Sequence, residues 1–459
     1  MLELTLLLPV LGAVCVALTK TPAFAARWCF VFVIAALLSS IGASLQFEMS
    51  SVAPPRLLGA FSVDDISAPM LPVQVLLHLL TILGTAKSRL TPLFCVRVLL
   101  SASITLAVMT CHSPAMIIVL LLAAVPLPAW DLAIRDRRLR GYFLYMTLFA
   151  ALLTAGWLVA SQGASTWAVG LLLIGLLVRG GIFPWHGWQV TLFQKATIGL
   201  TTLCVLPLVE VLASIRLVLP TAPSWLLHAG SVACLFTAVY CGGLGIVQQE
   251  VRRFYAHLCL SQTALVMFAV LAATPSSLTA ALCLWISAML SLAGLGFAIR
   301  ALEARFGELS LSKHHGYYEQ VPGLAICFFV TGLATVGFPG TIGFIPMELL
   351  ISGSIDQGLG ITFALVVAAM FNGLAIMRAY FSLFTGKRPT TSVSLQVTPR
   401  ERVAIVIVAT LVFVGGWFSP SIVESRHRVI DKLLEERHEP EASVRTDSDL
   451  RTTLSARPR

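Results

Sequence analysis

Residues 178–188 read Val-Arg-Gly-Gly-Ile-Phe-Pro-Trp-His-Gly-Trp and follow a long apolar segment. An arginine inside hydrocarbon is costly, and glycine and proline interrupt the hydrogen bonds of a helix. Arg179, Gly180, Gly181 and Pro184 therefore predict a membrane helix that breaks near 179–184. A broken membrane helix that carries a charge is typical of an ion path.

The composition places this stretch in a membrane. Hydrophobic residues make up 57% of the 459 residues and charged residues only 12%, and the mean hydropathy is +0.89. These values lie outside the usual range of soluble domains. The sequence therefore predicts an all-α polytopic membrane protein, and we interpret its net charge of +9 as loop topology, with no nucleic-acid partner.

Apolar runs long enough to cross a bilayer predict about 14 transmembrane helices. They lie near 2–18, 28–45, 66–86, 93–111, 113–130, 141–160, 166–183, 197–218, 225–247, 254–273, 277–299, 321–350, 360–384 and 402–418. Lys and Arg concentrate in the loops after odd-numbered spans, which predicts that those loops are cytoplasmic. Residues 1–418 are predicted to form the membrane-embedded domain, and residues 419–459 a polar C-terminal tail.

The chain shows no pattern for a cofactor or a metal. Its ten cysteines lie singly, which gives no support for an iron–sulfur, haem or zinc site, and no dinucleotide-binding motif occurs in a usable context. The paired histidines His314 and His315 are weak as a metal site without further ligands. We therefore expect no cofactor and no metal.

The order of the polar motifs resembles that of the antiporter-like membrane subunits of respiratory complex I. The matching stretches are Phe61-Ser-Val-Asp-Asp-Ile-Ser67, Arg179-Gly-Gly-Ile-Phe-Pro-Trp-His-Gly-Trp188, Gln248-Gln-Glu-Val-Arg-Arg-Phe-Tyr-Ala-His257 followed by Ser261, Gly332-Leu-Ala-Thr-Val-Gly-Phe-Pro-Gly-Thr-Ile-Gly-Phe344, and Asn372 to Gly386. The same superfamily includes Mrp antiporters, membrane-bound hydrogenases and some inorganic-carbon transporters. Within it the chain is most similar to chain M (subunit 4).

The resemblance implies a row of buried Lys, Glu and His side chains that relays protons at mid-membrane. This chain departs from that row. Ala123 stands where the family has a glutamate, Arg179 replaces a lysine, and Glu210 stands where another lysine is usual. Gln262 and Met289 replace histidines. Because arginine holds its proton at physiological pH, these changes argue against an unaltered proton relay.

The resemblance also implies a second broken helix near 339–346, marked by Pro339, Gly340 and Pro346. Its acid is Glu348, which we expect to be partly desolvated and able to bind and release a proton. The candidates for the ion path are thus Arg179, Glu210, Glu348, His186 and Gln262. Structural alternatives stay open, because Arg179 and Glu210 could form a buried ion pair that only fixes two helices, and His186 could belong to an interfacial aromatic belt.

Four further polar residues are expected to be solvated or structural and not part of the ion path. Asp64 and Asp65 precede a span, so we expect solvated loop carboxylates. His78 and His112 are expected to be packing or interfacial residues whose hydrogen bonds are satisfied.

Two functional hypotheses follow. In the first, the chain is a proton- or cation-translocating subunit of a complex I-like NADH:quinone oxidoreductase, and it couples electron transfer in partner subunits to ion movement. In the second, it is a scaffold or ion-coupled subunit of a bicarbonate-uptake or cation/proton antiporter assembly with a degenerate proton path. In both, its partners are the lipid bilayer and other membrane and peripheral subunits, and its location is a bacterial inner (plasma) membrane.

Overall fold

The computed structural model describes residues 1–49, 57, 59–86, 89–135, 140–163, 165–386, 397–418, 423–428 and 430. Within these residues the secondary structure is helical, with isolated β-bridges and no strand. The all-α fold that the composition predicts is therefore confirmed.

The helices are numbered α1–α18 in chain order. They are α1 (Leu2–Ala17), α2 (Pro22–Met49), α3 (Ser67–Leu83), α4 (Pro92–Thr110), α5 (Pro114–Ala124), α6 (Pro126–Ile134), α7 (Arg140–Gln162), α8 (Thr166–Gly180), α9 (Gly187–Lys195), α10 (Ile198–Val205), α11 (Val209–Ala213), α12 (Ser224–Val247), α13 (Val251–Leu271), α14 (Pro275–Phe306), α15 (Pro322–Val336), α16 (Phe344–Gly353), α17 (Leu359–Phe384) and α18 (Pro399–Trp417). A π-helical turn, Ser214–Val218, continues α11.

The length and apolar composition of these helices fit a membrane. Among the described residues, nine helical segments of at least 18 residues are apolar enough to cross a bilayer, and α1, α3, α8 and α15 are shorter apolar helices. Each predicted span coincides with a helix or with a run of adjacent helices. The polytopic membrane fold is thus supported, while the count of fourteen spans and their orientation stay predictions.

Helices α6 and α14 extend past the predicted spans, and polar partners contact the charged residues near their C-terminal ends. The prediction ended one span at residue 299, whereas α14 continues to Phe306. Arg300 donates to the carbonyl of Thr81 at 3.3 Å, and Arg305 donates to Glu401 at 2.8 Å. Likewise α6 continues to Ile134, since Asp131 in its second turn is buried in an ion pair. A hydropathy profile ends a span at such charged residues, because it does not show that hydrogen bonds and ion pairs compensate their charges.

Helices α13 and α14 form the centre of the bundle. Nearly all of α13 and every residue of α14 from Ser277 to Ile299 are buried. By contrast, α2, α7 and α17 expose large apolar side chains such as Phe24, Leu144 and Phe363. This distribution is the one expected when lipid covers the outside of the bundle.

Most of the predicted tail, 419–459, and several basic residues of the loop-charge pattern lie outside the described residues. The basic residues concerned are Arg56, Lys87, Arg137, Arg138, Lys387 and Arg388. Residues 423–428 are helical and lie against the bundle, where Arg426 donates to the carbonyl of Asp65 and His427 lies 3.2 Å from the hydroxyl of Thr279. The described start of the tail therefore packs at the end of the bundle where α3 and α14 begin.

Candidate ion path at the broken helices

The first interruption lies between α8 and α9. Helix α8 ends at Gly180, and Gly181 has a φ of +69°, a left-handed conformation that glycine adopts without strain. A Cβ atom at Gly181 would lie 2.6 Å from Leu260 Cδ2 and 2.7 Å from Gln189 Oε1. Space and backbone conformation thus both require glycine here, and Pro184 lies in the connection before α9.

Arg179 occupies the last turn of α8 and is 6% exposed. Its Nη2 donates to the carbonyl of Cys204 at 2.9 Å, and its guanidinium carbon lies 5.4 Å from the ring centre of Trp188. The Cys204 carbonyl is available because Leu208, next to Pro207, donates to Val205 in place of the α-helical acceptor. The sequence did not predict this discontinuity between α10 and α11, where Leu208 has a φ of +48°.

Glu210 begins the helix that follows that discontinuity and is 2% exposed. A Cβ atom at Gly180 would lie 3.5 Å from Glu210 Cγ, so the glutamate packs beside the end of α8. Its Oε2 atom is buried and has no hydrogen-bond partner. Among the described residues no ion pair within 4 Å joins Glu210 to Arg179, so the direct contact that we considered is not formed. The two charges can therefore interact only over more than 4 Å.

A small cavity borders Arg179. It has space for about one water molecule. Four helical spans contribute its lining residues, which are Ser101, Ile104, Thr105, Val108, Ala124, Leu127, Arg179, Leu203, Cys204 and Val209. Most of these side chains are apolar, so the guanidinium faces a site with little solvent to screen its charge.

The other candidates of this region lie around α12, α13 and α17. Gln262 is buried in α13, next to Ser261, which accepts from Asn372 Nδ2 at 2.9 Å. The Oδ1 atom of Asn372 is buried without a hydrogen-bond partner. His186 is half-buried between Phe183 and Tyr240, and its Nδ1 also lacks a partner. These unpaired atoms suit ordered water, which commonly satisfies such groups.

The second interruption lies between α15 and α16. Helix α15 ends at Val336, and both Gly337 and Gly340 have a positive φ, +81° and +84°. Pro339 lies between them. Pro346 differs from the expectation, because it lies inside the first turn of α16, where a missing backbone N–H is tolerated.

Glu348 lies in α16 but points away from the bundle. It is exposed in the isolated chain. The desolvation that we expected from the neighbouring break is therefore absent from this chain alone. Met289, in contrast, is fully buried in α14.

A cluster at one end of the bundle was not predicted. Asp64 accepts from Arg216 Nη2 at 2.8 Å and from His112 Nε2 at 3.1 Å. Ser67 adds its backbone N–H at 2.7 Å. Burial raises the pKa of Asp64, but the hydrogen bond from His112 and the charge of Arg216 outweigh it and hold that pKa well below its usual range. The expectation of a simple solvated carboxylate was wrong for Asp64.

Two other polar features were also not predicted from the sequence. Arg97 and Asp131 form a buried ion pair, and a lone arginine in the fourth span with a lone aspartate after the fifth could have indicated it. His78 Nδ1 donates a hydrogen bond to the carbonyl of Gln74 at 2.8 Å, while the buried Nε2 of His78 has no hydrogen-bond partner. The expectation that all hydrogen bonds of His78 are satisfied was therefore wrong. Among the described residues no three His, Cys, Asp or Glu side chains are grouped as metal ligands.

The part of the chain that holds the ion-path candidates matches a known protein family. Residues 141–372, half of the chain, match the family described as "NADH:quinone oxidoreductase/Mrp antiporter, TM". The chain belongs to this family. The matched segment contains both interruptions and all five ion-path candidates of the sequence analysis.

Curated relatives within the antiporter family are subunits of respiratory enzymes. NADH-quinone oxidoreductase subunit N of Alkalilimnicola ehrlichii is 22% identical over 277 residues, 58% of this chain and 56% of the relative. Subunit M of Escherichia coli K12 is 23% identical over 280 residues, 57% of this chain and 54% of the relative. The chain thus spans about half the length of the curated relatives that it matches.

Solved structures share the fold over nearly the whole chain. A chain of respiratory complex I from Thermus thermophilus has a TM-score of 0.81 at 19% identity, covering 95% of this chain and 100% of that chain. A chain of the Mrp complex from a Dietzia species has a TM-score of 0.78 at 18% identity, covering 94% and 97%. The antiporter family fold is therefore present, including the helices that carry Arg179 and Glu210.

Proposed function

We propose that the chain is a proton- or cation-translocating subunit of a complex I-like NADH:quinone oxidoreductase, most like chain M (subunit 4). In this proposal the partner subunits carry out electron transfer and this chain moves ions. The observation that supports it is the pair of buried ionisable side chains, Arg179 and Glu210, beside interrupted helices in the family segment. Membrane helices rarely hold buried charges without a function.

The two residues are suited to different roles. Arginine keeps its charge at physiological pH, so Arg179 supplies a fixed positive field. Glu210 can take up and release a proton, and its unpaired Oε2 provides a place for water or a proton. Gln262 and the His186 region would extend the polar route on either side. Ala123 and Met289 supply no titratable group, so the route depends on Glu210 more heavily than a complete row of acids and bases would.

The position of Glu348 supports a multisubunit assembly. A carboxylate on the outside of a membrane bundle would meet lipid, where charge is unfavourable. A neighbouring subunit of a respiratory-type complex would cover Glu348 and provide the desolvated site that the isolated chain lacks. We place this assembly in a bacterial inner (plasma) membrane, with residues 1–418 as the antiporter-like body.

The matched family also includes Mrp antiporters, which favours a second candidate function. The chain would then be a scaffold or ion-coupled subunit of a cation/proton antiporter or bicarbonate-uptake assembly. Its Arg179 cannot cycle its proton, a property that suits a fixed structural charge as well as a transport site. The partners distinguish the two candidates.

Purification from the native membrane in mild detergent tests the assembly. Co-purification with quinone-site and iron–sulfur subunits would support the first candidate. Co-purification with antiporter subunits, or with a large zinc-dependent soluble protein, would support the second.

Reconstitution of the purified complex tests the role of Glu210. In vesicles that contain a pH-sensitive dye, Glu210→Gln should lower proton movement at least tenfold while the subunits remain assembled. Glu308→Gln is the matched control, because Glu308 is exposed in a loop and lies outside the proposed path. Unchanged proton movement in assembled Glu210→Gln complexes would refute the proposed role.

A further inference from the structure

The geometry points to a binding site for one compact monovalent anion, of about the size of chloride, in the cavity beside Arg179. Anion binding is a property of the chain itself, so it can be tested and refuted independently of the proposed ion translocation.

Arg179 carries a buried positive charge that no carboxylate contacts directly within the described residues. The guanidinium has five N–H groups, yet within the described residues its one hydrogen bond is to the neutral carbonyl of Cys204. Trp188 covers it at 5.4 Å and adds no negative charge. Arg97 is equally buried and has a carboxylate partner, Asp131, at 2.6 Å. Among the described residues, no carboxylate oxygen lies within 4 Å of the Arg179 guanidinium.

The space beside that charge is a small cavity. The cavity is bounded by Arg179 and by residues of four spans, among them Ser101, Ala124 and Leu127. No carboxylate lies in this lining. Thr105 already donates to the carbonyl of Ser101 and accepts from Gln74, so Ser101 is the hydroxyl donor left for a ligand. Space for about one water molecule suits a single halide ion and excludes larger organic anions.

Substitution of Glu210 should also change the affinity of the site for an anion. Its carboxylate lies beside Gly180, one residue from Arg179, and would oppose an anion in the cavity. Removing that negative charge while keeping the side-chain shape should therefore strengthen anion binding. A structural ion pair between Arg179 and Glu210 predicts instead that chloride has no saturable effect on the unmodified chain, because an already neutralised arginine would not attract chloride.

The experiment uses the full chain purified in detergent and titrated with sodium chloride against sodium gluconate at constant ionic strength. The unfolding temperature should rise with chloride and saturate, since a ligand that binds the folded state stabilises it. Arg179→Gln should weaken the apparent affinity at least tenfold, and Glu210→Gln should strengthen it about threefold or more. Arg253→Gln, at an exposed ion pair, is the control and should leave it unchanged.

Ser101→Val provides a second test that keeps Arg179. The added methyl group fills the cavity, so chloride should no longer stabilise the folded variant, even if Arg179→Gln fails to fold. Sodium bicarbonate tests the size limit and should bind at least tenfold more weakly than chloride. The site is refuted if chloride stabilises Ser101→Val and the unmodified chain equally, if its effect does not saturate, or if bicarbonate binds as well as chloride.

Discussion

Nη1 of Arg97 lies 2.6 Å from Oδ1 of Asp131, and both side chains are buried where α4 meets α6. Asp131 also accepts from the backbone N–H of Thr197 at 2.7 Å, which ties in the start of α10. One ion pair thus holds three spans together close to the cavity beside Arg179. Such a pair is costly to break, because the remaining partner is left as a buried charge.

We expect Arg97→Met to destabilise the chain by about 3 kcal/mol for this reason. The double variant Arg97→Met/Asp131→Leu should lose less than the sum of the two single changes. Unfolding temperatures in mild detergent measure both. The exposed pair Arg253 and Glu250 is the control, since Arg253→Met should cost less than about 1 kcal/mol. Equal losses in Arg97→Met and Arg253→Met would contradict a structural role for the buried pair.

The Asp64 cluster gives stability a pH dependence of defined sign. The pKa of Asp64 is lower in the folded chain than in the unfolded chain, because His112 and Arg216 outweigh the effect of burial. Its ionised form therefore stabilises the fold at neutral pH, and that contribution is lost as the pH falls below about 3.9 towards the lowered folded value. Asp64→Asn should cost about 2 kcal/mol at pH 7 and progressively less below pH 4. Unfolding temperatures from pH 7 to pH 3 would reveal this convergence, and a constant difference between the two proteins would argue against it.

The sequence predicted the all-helical class and the positions of the apolar helices, because apolar length is a local property. It also located both interruptions, since glycine and proline act through their own backbone. Arg97 with Asp131, and Asp64 with Arg216, were missed because their partners are 34 and 152 residues apart in the chain. The direction in which Glu348 points was missed for a similar reason. Side-chain direction depends on the rotation of α16 against its neighbours, which no local pattern records.

The conformation of Gly181 permits a test of the first interruption. Gly181→Ala should destabilise the chain by about 2 kcal/mol or more, because its φ is +69° and the new Cβ atom would meet Leu260 at 2.6 Å. Gly170→Ala, inside α8, is the control, because open space surrounds its Cβ position and alanine favours helix. It should be neutral or slightly stabilising. Thermal unfolding would distinguish them, and similar behaviour of both variants would show that the break tolerates a side chain.

Substitution of Glu348 is expected to have different effects in the isolated chain and in the assembled complex. Its side chain is exposed on α16, so Glu348→Gln should leave the unfolding temperature of the isolated chain within about 1 °C of the unmodified chain. If a neighbouring subunit covers this surface, the carboxylate becomes desolvated only in the complex. Glu348→Gln should then reduce ion movement by the reconstituted complex at least tenfold without changing its subunit composition.

Asp356 supplies the matched control for that measurement, because it is an exposed carboxylate that follows α16 in a short 3₁₀ turn. Asp356→Asn should preserve ion movement. A complex with Glu348→Gln that assembles and moves ions at the unmodified rate would show that the acid has no part in transport. Glu210 and His186 would then be left as the candidates able to exchange a proton, because Arg179 keeps its charge and Gln262 has no titratable group.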